Sequence, residues 1–159
     1  FIYAFIYGAG AAKIGSVVGG TAQDGQRLID TFLSNVPALA TLRRRVDIAS
    51  NRGYLIGLDG RKLMVRNKHS AVNLLLQGAG AVICKQWLVE IHNSLSYTEM
   101  KACLVASIHD EYQHEINKDQ AEEFGELTKL AMRKTQERLG IKCTLDSEYK
   151  IGRNWSQTH

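Results

Sequence analysis

Apolar positions in this chain fall into short blocks of differing period, and the changes of period set the order of elements. Residues 1–8, FIYAFIYG, place Tyr3 and Tyr7 four apart on one face of a helix, which the glycines at 8 and 10 end. AAKIGSVV predicts a second short helix before Gly19-Gly20. Thr21, with Asp24 three residues on, is an N-cap signal in which Asp replaces the usual Glu or Gln. Leu28, Ile29, Phe32, Leu33 and Val36 follow at amphipathic spacing. Pro37 suits the first turn of another helix, one that carries Arg43-Arg44-Arg45 and frays by Gly53.

YLIGL and KLMVR then flank Asp59-Gly60, a hairpin signal. Residues 69–95 predict a long helix with Gly78 and Gly80 in its interior. Each glycine is roughly 1 kcal/mol less favourable there than Ala, so a close backbone neighbour on that face is expected. CLVASI (103–108) and EYQHEI (111–116) read as strands joined at His109-Asp110. Asn117 with Gln120 predicts a capping box for a helix that buries Phe124, Leu127, Leu130 and Ala131 and ends at Gly140. CTLDSEYKI predicts a last strand, and no repeat of 20 to 50 residues is visible. The order implies an α+β fold: an antiparallel sheet with helices packed on one side.

A hydrophobic share of 45% and a charged share of 23% over 159 residues exclude a disordered tail. They leave room for one domain or a contiguous part of a larger one. No apolar run approaches the ~18–20 residues of a membrane span, so no membrane partner is expected, and the opening has no signal-peptide pattern. Cys84, Cys103 and Cys143 are odd in number and form no C-x-x-C pair. They predict buried free thiols in a reducing compartment rather than a zinc or disulfide framework. Charge is uneven: residues 1–72 hold ten Lys/Arg against four Asp/Glu, and residues 73–159 hold ten against twelve. The basic excess at 43–68 suggests a polyanionic partner. The aromatic opening and the missing initiator Met lead to the expectation that more chain precedes Phe1.

SIHDEYQHEI (107–116) carries the candidate chemistry. A turn lifts its acids to the edge of a sheet, while strand alternation sends Asp110 and Glu111 to opposite faces. Hard oxygen ligands of this kind suit Mg²⁺, which one or two carboxylates hold together with substrate phosphates. His92 and His114 read as ordinary residues, since nothing supplies further ligands for a His-type metal site.

Taken in order, FIYAFIYG, GLDGRK, HSAVNLLLQGAGAVICK, SIHDEYQHE and the terminal GRNW…H resemble the family A (DNA polymerase I-like) DNA polymerases, above all those of podovirus-type phages. The resemblance implies partial fingers at 1–52 and the C-terminal part of the palm at 53–159. It makes Asp110 a catalytic carboxylate that binds metal, and Glu111 its supporting neighbour. His109 and Gln77 match positions that reach the primer end and the minor groove, with Asn73 on the same helix face and His69 a further turn back. Tyr3 matches the aromatic that packs on the incoming nucleotide, where tyrosine goes with acceptance of dideoxynucleotides. Tyr7 and Gly8 match the residues beside the templating base, and Arg61 and Lys62 are assigned to backbone phosphates.

The implied reaction is template-directed transfer of dNMP to a primer 3′-hydroxyl with two Mg²⁺ ions, primer-template DNA and dNTPs being the partners. A second protein carboxylate is expected upstream, in the family's D-x-S-x-x-E motif, so these residues alone are expected to be inactive. The expected setting is the cytoplasm of an infected bacterium, and no processivity factor or helicase is specified. Two other readings stand beside this one. A non-catalytic DNA-binding module of a replication complex would need only the basic 43–68 stretch. A metal-dependent phosphohydrolase would use His109 and Asp110 but lacks further ligands.

Overall fold

The computed structural model describes residues 1–159, which divide into two compact units, Phe1–Ala79 and Gly80–His159. The first unit begins with α1 (Ile2–Ile6) and α2 (Ala11–Val17), followed by α3 (Ala22–Asn35) and α4 (Pro37–Ser50). Alternate aromatics of α1 have different fates. Phe5 is buried with Ile14 and Ile29, and the Phe32 ring meets Phe1 and Phe5 edge-on at 5.1 and 5.4 Å. Thr21 and Asp24 form the reciprocal capping box anticipated from the sequence, and Pro37 occupies the first turn of α4. A Cβ on Gly25 would lie 2.0 Å from the Ala11 carbonyl oxygen, so only a bare backbone lets α2 and α3 cross this closely.

β1 (Tyr54–Ile56) and β2 (Lys62–Met64) pair antiparallel. Asp59-Gly60 lies within a five-residue loop between Ile56 and Lys62 rather than in a two-residue turn. Val46, Leu55 and Ala71 form a second small core there. After a 3-10 turn at Lys68–Ser70 comes α5 (Ala71–Leu95), whose Trp87 and Ile91 belong to the core of the second unit. Of its interior glycines, Gly78 faces the Leu63 side chain, 3.1 Å from where a Cβ would stand. Gly80 faces open space, contrary to expectation.

The helical stretch Lys68–Leu95 is long and apolar enough to cross a membrane by length and composition, with a window of mean hydropathy 1.3. Counting uninterrupted apolar residues missed it because Asn73, Gln77, Lys85 and Glu90 break the run. Glu90 accepts from Gln86 at 2.8 Å and pairs with Arg138 at 3.0 Å. Ionisable groups of this kind are costly in hydrocarbon, and Glu90 is accommodated here by its pairing with Arg138.

In the second unit, β3 (Ala102–Ile108) and β4 (Glu111–Ile116) form a second two-stranded antiparallel sheet, and α6 (Ala121–Leu139) packs with Trp87, Ile91 and Met100 through Phe124, Ala131 and Met132. The Trp87 indole N–H donates to the Thr128 carbonyl at 2.8 Å, satisfying a buried polar group. Gly140 ends α6 in the left-handed conformation, as its position predicts.

Several expectations for this unit need correction. Residues 118–120 wind into a 3-10 turn that moves the start of α6 to Ala121, and neither Asn117 nor Gln120 makes a side-chain cap. Leu130 is 50% exposed. Cys84 is half-buried, while Cys103 and Cys143 are exposed. Residues 143–151 form no strand, because no neighbouring strand offers them a ladder. Side chains anchor the segment to α6 instead: Gln136 accepts from the Leu145 N–H at 2.8 Å, and the Tyr149 hydroxyl donates to Glu122 and Glu126. The chain ends in a single turn, α7 (Trp155–Thr158).

Candidate active site: a hairpin tip and an aromatic helix

The β3–β4 hairpin is closed by two residues, His109 and Asp110, with Ile108 paired to Glu111. His109 has φ +53°, and it alone among non-glycine residues is left-handed. Tight two-residue turns need positive φ because it matches the right-handed twist of the strands, and His tolerates that region better than most residues. Holding it there still costs about 1–2 kcal/mol. Further down the strand the register slips between Leu104 and Ala106, leaving Val105 as a bulge. A bulge of this kind bends the strand and increases its local twist.

The adjacent carboxylates at the tip are in different states. Asp110 is exposed and has no hydrogen bond or ion pair. Its charge is felt at the half-buried Cys84 thiol, which burial, and secondarily Asp110, push upward. Glu111 accepts from Gln113 Nε2 at 2.5 Å and from Trp155 Nε1 at 3.1 Å, and its Oε2 lies 2.8 Å from His159 Nδ1. Those bonds, His159's first, hold its carboxyl below the ordinary carboxylate range. Both acids line one open groove of about 1510 Å³. Behind them, the Tyr112 and Trp87 rings meet at a tilt with centres 5.2 Å apart, and His114 lies against Phe124, where burial depresses its pKa.

The first unit brings together a separate set. Gly8, at φ +81°, abuts the backbone of the 3-10 turn, so that a Cβ there would stand 2.5 Å from the His69 carbonyl oxygen. Gln77 Nε2 reaches the Tyr7 hydroxyl at 3.4 Å, a long and weak bond. Tyr7, Gly8, His69 and Gln77 are therefore neighbours. Asn73 lies between His69 and Gln77 on the same helix face, its Oδ1 buried without a partner. Tyr3 is one turn from Tyr7 on α1 and 81% exposed, a ring with no protein surface to cover it. On the β1–β2 hairpin, Arg61 pairs with Asp59, and Lys62 and Arg52 each stand 4.8 Å from the centre of the Tyr54 ring.

The residues that sequence reasoning left without a role are Gln113, Trp155, Thr158 and His159. The terminal GRNW…H was the only available signal, and nothing in it points forty residues back to Glu111.

Residues 1–157 match the sequence profile of DNA polymerase family A. The chain belongs to that family. It is 40% identical over 166 residues to the DNA-directed DNA polymerase of Escherichia phage Phieco32, covering 100% of this chain and 27% of that one. Against the corresponding enzymes of Enterobacteria phage T3 and Escherichia phage T7 it is 38% and 36% identical over 181 residues, covering 26% of each. This family A chain thus spans about a quarter of the length of the curated relatives it matches. Its fold is similar to the POL domain of Pol1 from M. smegmatis, solved in complex with DNA primer-template and dNTP. The TM-score is 0.77 at 17% identity, over 84% of this chain and 26% of that one. The profile match agrees with the resemblance drawn from the ordered motifs, and the structural likeness agrees with the α+β fold expected from them. The DNA-binding-module reading is not favoured, since these phage relatives are named as polymerases.

Proposed function

We propose that this chain forms part of the polymerase site of a phage DNA-directed DNA polymerase acting in the cytoplasm of an infected bacterium. Asp110 would hold catalytic Mg²⁺, and primer-template DNA and dNTPs would be the substrates. The observation that carries this reading is Asp110 itself: an exposed, uncommitted carboxylate on a rigid two-residue turn in a family A chain.

The donor set suits one side of a metal clamp and no more. A hard cation takes carboxylate oxygen, and Asp110 supplies it, but no group of three or more His, Cys, Asp or Glu could enclose an ion. The partner carboxylate is therefore assigned to another part of the polymerase. Divalent cations at such a site supply charge neutralisation to the attacking and leaving oxygens of an in-line displacement. In that displacement the primer 3′-hydroxyl oxygen would bond to the α-phosphorus, its proton passing to solvent, as the bond to the pyrophosphate oxygen breaks and pyrophosphate leaves.

The protein's own part is to position. His109, held beside Asp110 by its turn, is assigned to the primer end. Gln77 and Asn73 present donors suited to the minor groove, where every base pair shows acceptors in the same places, so geometry is tested without reading sequence. Tyr3 offers an open ring to the incoming nucleotide. Tyr7 and Gly8 border the template base, the bare Gly8 leaving room. Arg61 and Lys62 are assigned to phosphates, which fix register, and His69 to the DNA-facing side it shares with Asn73 and Gln77. Residues 1–52 would belong to the fingers and 53–159 to the palm.

Asp110→Ala in the complete polymerase carrying this sequence tests the reading. Primer extension is expected to fall on the order of 10³-fold, the scale of losing a preorganised charge at the reacting centre. Extension at the parental rate would overturn it.

A further inference from the structure

The contacts around Glu111 exceed what the proposed reaction uses. Three donors converge on its carboxylate, from Gln113, Trp155 and His159. The His159 contact holds whether the ring is neutral and donates Nδ1–H or is protonated. Thr158 Oγ1 donates to Gln113 Oε1 at 2.9 Å, which aims the amide nitrogen at Glu111. Trp155, Thr158 and His159 are spaced i, i+3 and i+4, and the Trp155 and His159 rings meet edge-on at 5.6 Å. A single helical turn has no stability of its own, so these bonds hold the turn on β4. A carboxylate offers about four acceptor sites. Glu111 has three in use, and its neighbour Asp110 has none.

We propose that the C-terminal segment is a positioning clamp. Trp155, His159 and Gln113 occupy three of the acceptor sites of Glu111 and pin the start of β4, so that Asp110 remains the one uncommitted carboxylate on the hairpin tip. Without the clamp, a freed Glu111 would stand beside Asp110 as a competing and repelling anion. The inference rests on the polymerase reading for its kinetic consequence, while its structural half stands apart from that reading.

The experiment uses the complete polymerase with Trp155→Phe, which keeps an aromatic side chain but loses the indole N–H and part of the ring, with His159→Ala, and with both together. Tyr149→Phe serves as a control that loosens the same tail without touching Glu111. Amide hydrogen exchange across 108–113 is expected to accelerate in the clamp variants and not in the control. Primer-extension kcat is expected to fall about tenfold, the lower range for losing a group that orients a ligand, with KM for dNTP within about twofold of parental. Unchanged exchange in Trp155→Phe and His159→Ala would overturn the clamp, as would an equal effect of Tyr149→Phe. Asp110→Ala, run alongside, separates the two claims: retained extension there defeats the polymerase reading, while exchange still decides the clamp.

Discussion

The two hairpins of this chain, one in each unit, treat charge in opposite ways. In β1–β2 every cation leans on a neighbour: Arg61 on Asp59, and Arg52 and Lys62 on the Tyr54 ring. In β3–β4 the adjacent acids are split, Glu111 held by three donors and Asp110 left bare. A braced charge sets geometry, and an unbraced one is available to a ligand. On that argument the first hairpin has its cations committed, whereas the second leaves one carboxylate open.

The sharpest way to break this contrast is to change one acid at a time. Asp110→Asn should depress single-turnover primer extension on the order of 10³-fold, whereas Glu111→Gln should lower it about tenfold, an indirect effect. If Glu111→Gln proved the more damaging, the carboxylate tied to the C-terminal turn would be the one that matters, and the division of labour at the tip would be reversed.

The first unit holds its site through backbone contact rather than side-chain bonds, and Gly8 is where that can be tested. Gly8→Ala would put a Cβ 2.5 Å from the His69 carbonyl oxygen at φ +81°. The left-handed conformation alone costs Ala about 1–2 kcal/mol, and the clash adds to it, so a loss of about 2–4 kcal/mol is expected in thermal unfolding. A loss below about 1 kcal/mol would show that α1 can lift off the 3-10 turn at little cost.

These two sites were unequally legible in the sequence. Helix punctuation was local and mostly readable: the Thr21–Asp24 box, Pro37 at the start of α4 and Gly140 at the end of α6 all hold, while the Asn117–Gln120 box gives way to a 3-10 turn. The β3–β4 hairpin was equally plain, since two strands of clear pattern meet over two residues. The other failures occurred where a distant partner decides. CTLDSEYKI alternates like a strand, but strand formation needs a neighbour's ladder, and α6 claimed its side chains instead. Cys103 and Cys143 are exposed because residue type alone does not say which face of an element meets a core. The Glu111 cluster was invisible for the same reason, two of its three donors lying 44 and 48 residues away along the chain.

His114 shows what the second unit requires of pH. Burial against Phe124 lowers its pKa from an ordinary value near 6.5, so the folded state favours the neutral ring. The unfolded chain then binds the proton more readily, and its contribution to stability, complete above about pH 6.5, is lost as pH falls toward the depressed folded value. Denaturant titrations between pH 7.5 and 5 should show that loss, and His114→Phe should flatten it. An equal loss in the variant would show that His114 is not its cause.

The smallest effect belongs to Arg61, and it bears most directly on the contrast between the hairpins. Its ion pair with Asp59 is solvent-exposed, and such pairs contribute about 0–1 kcal/mol, so Arg61→Ala should leave stability nearly unchanged. If Arg61 also meets a phosphate, removing it should weaken DNA binding evenly across sequences and reduce the slope of log affinity against log salt by about one. That comparison needs the complete polymerase and primer-template DNA over a range of salt concentrations. An unchanged slope would mean that Asp59 uses up the guanidinium and that Arg61 only braces its turn. Lys62, whose ammonium stands on an aromatic face rather than on an acid, would then be the cation this hairpin has left for DNA.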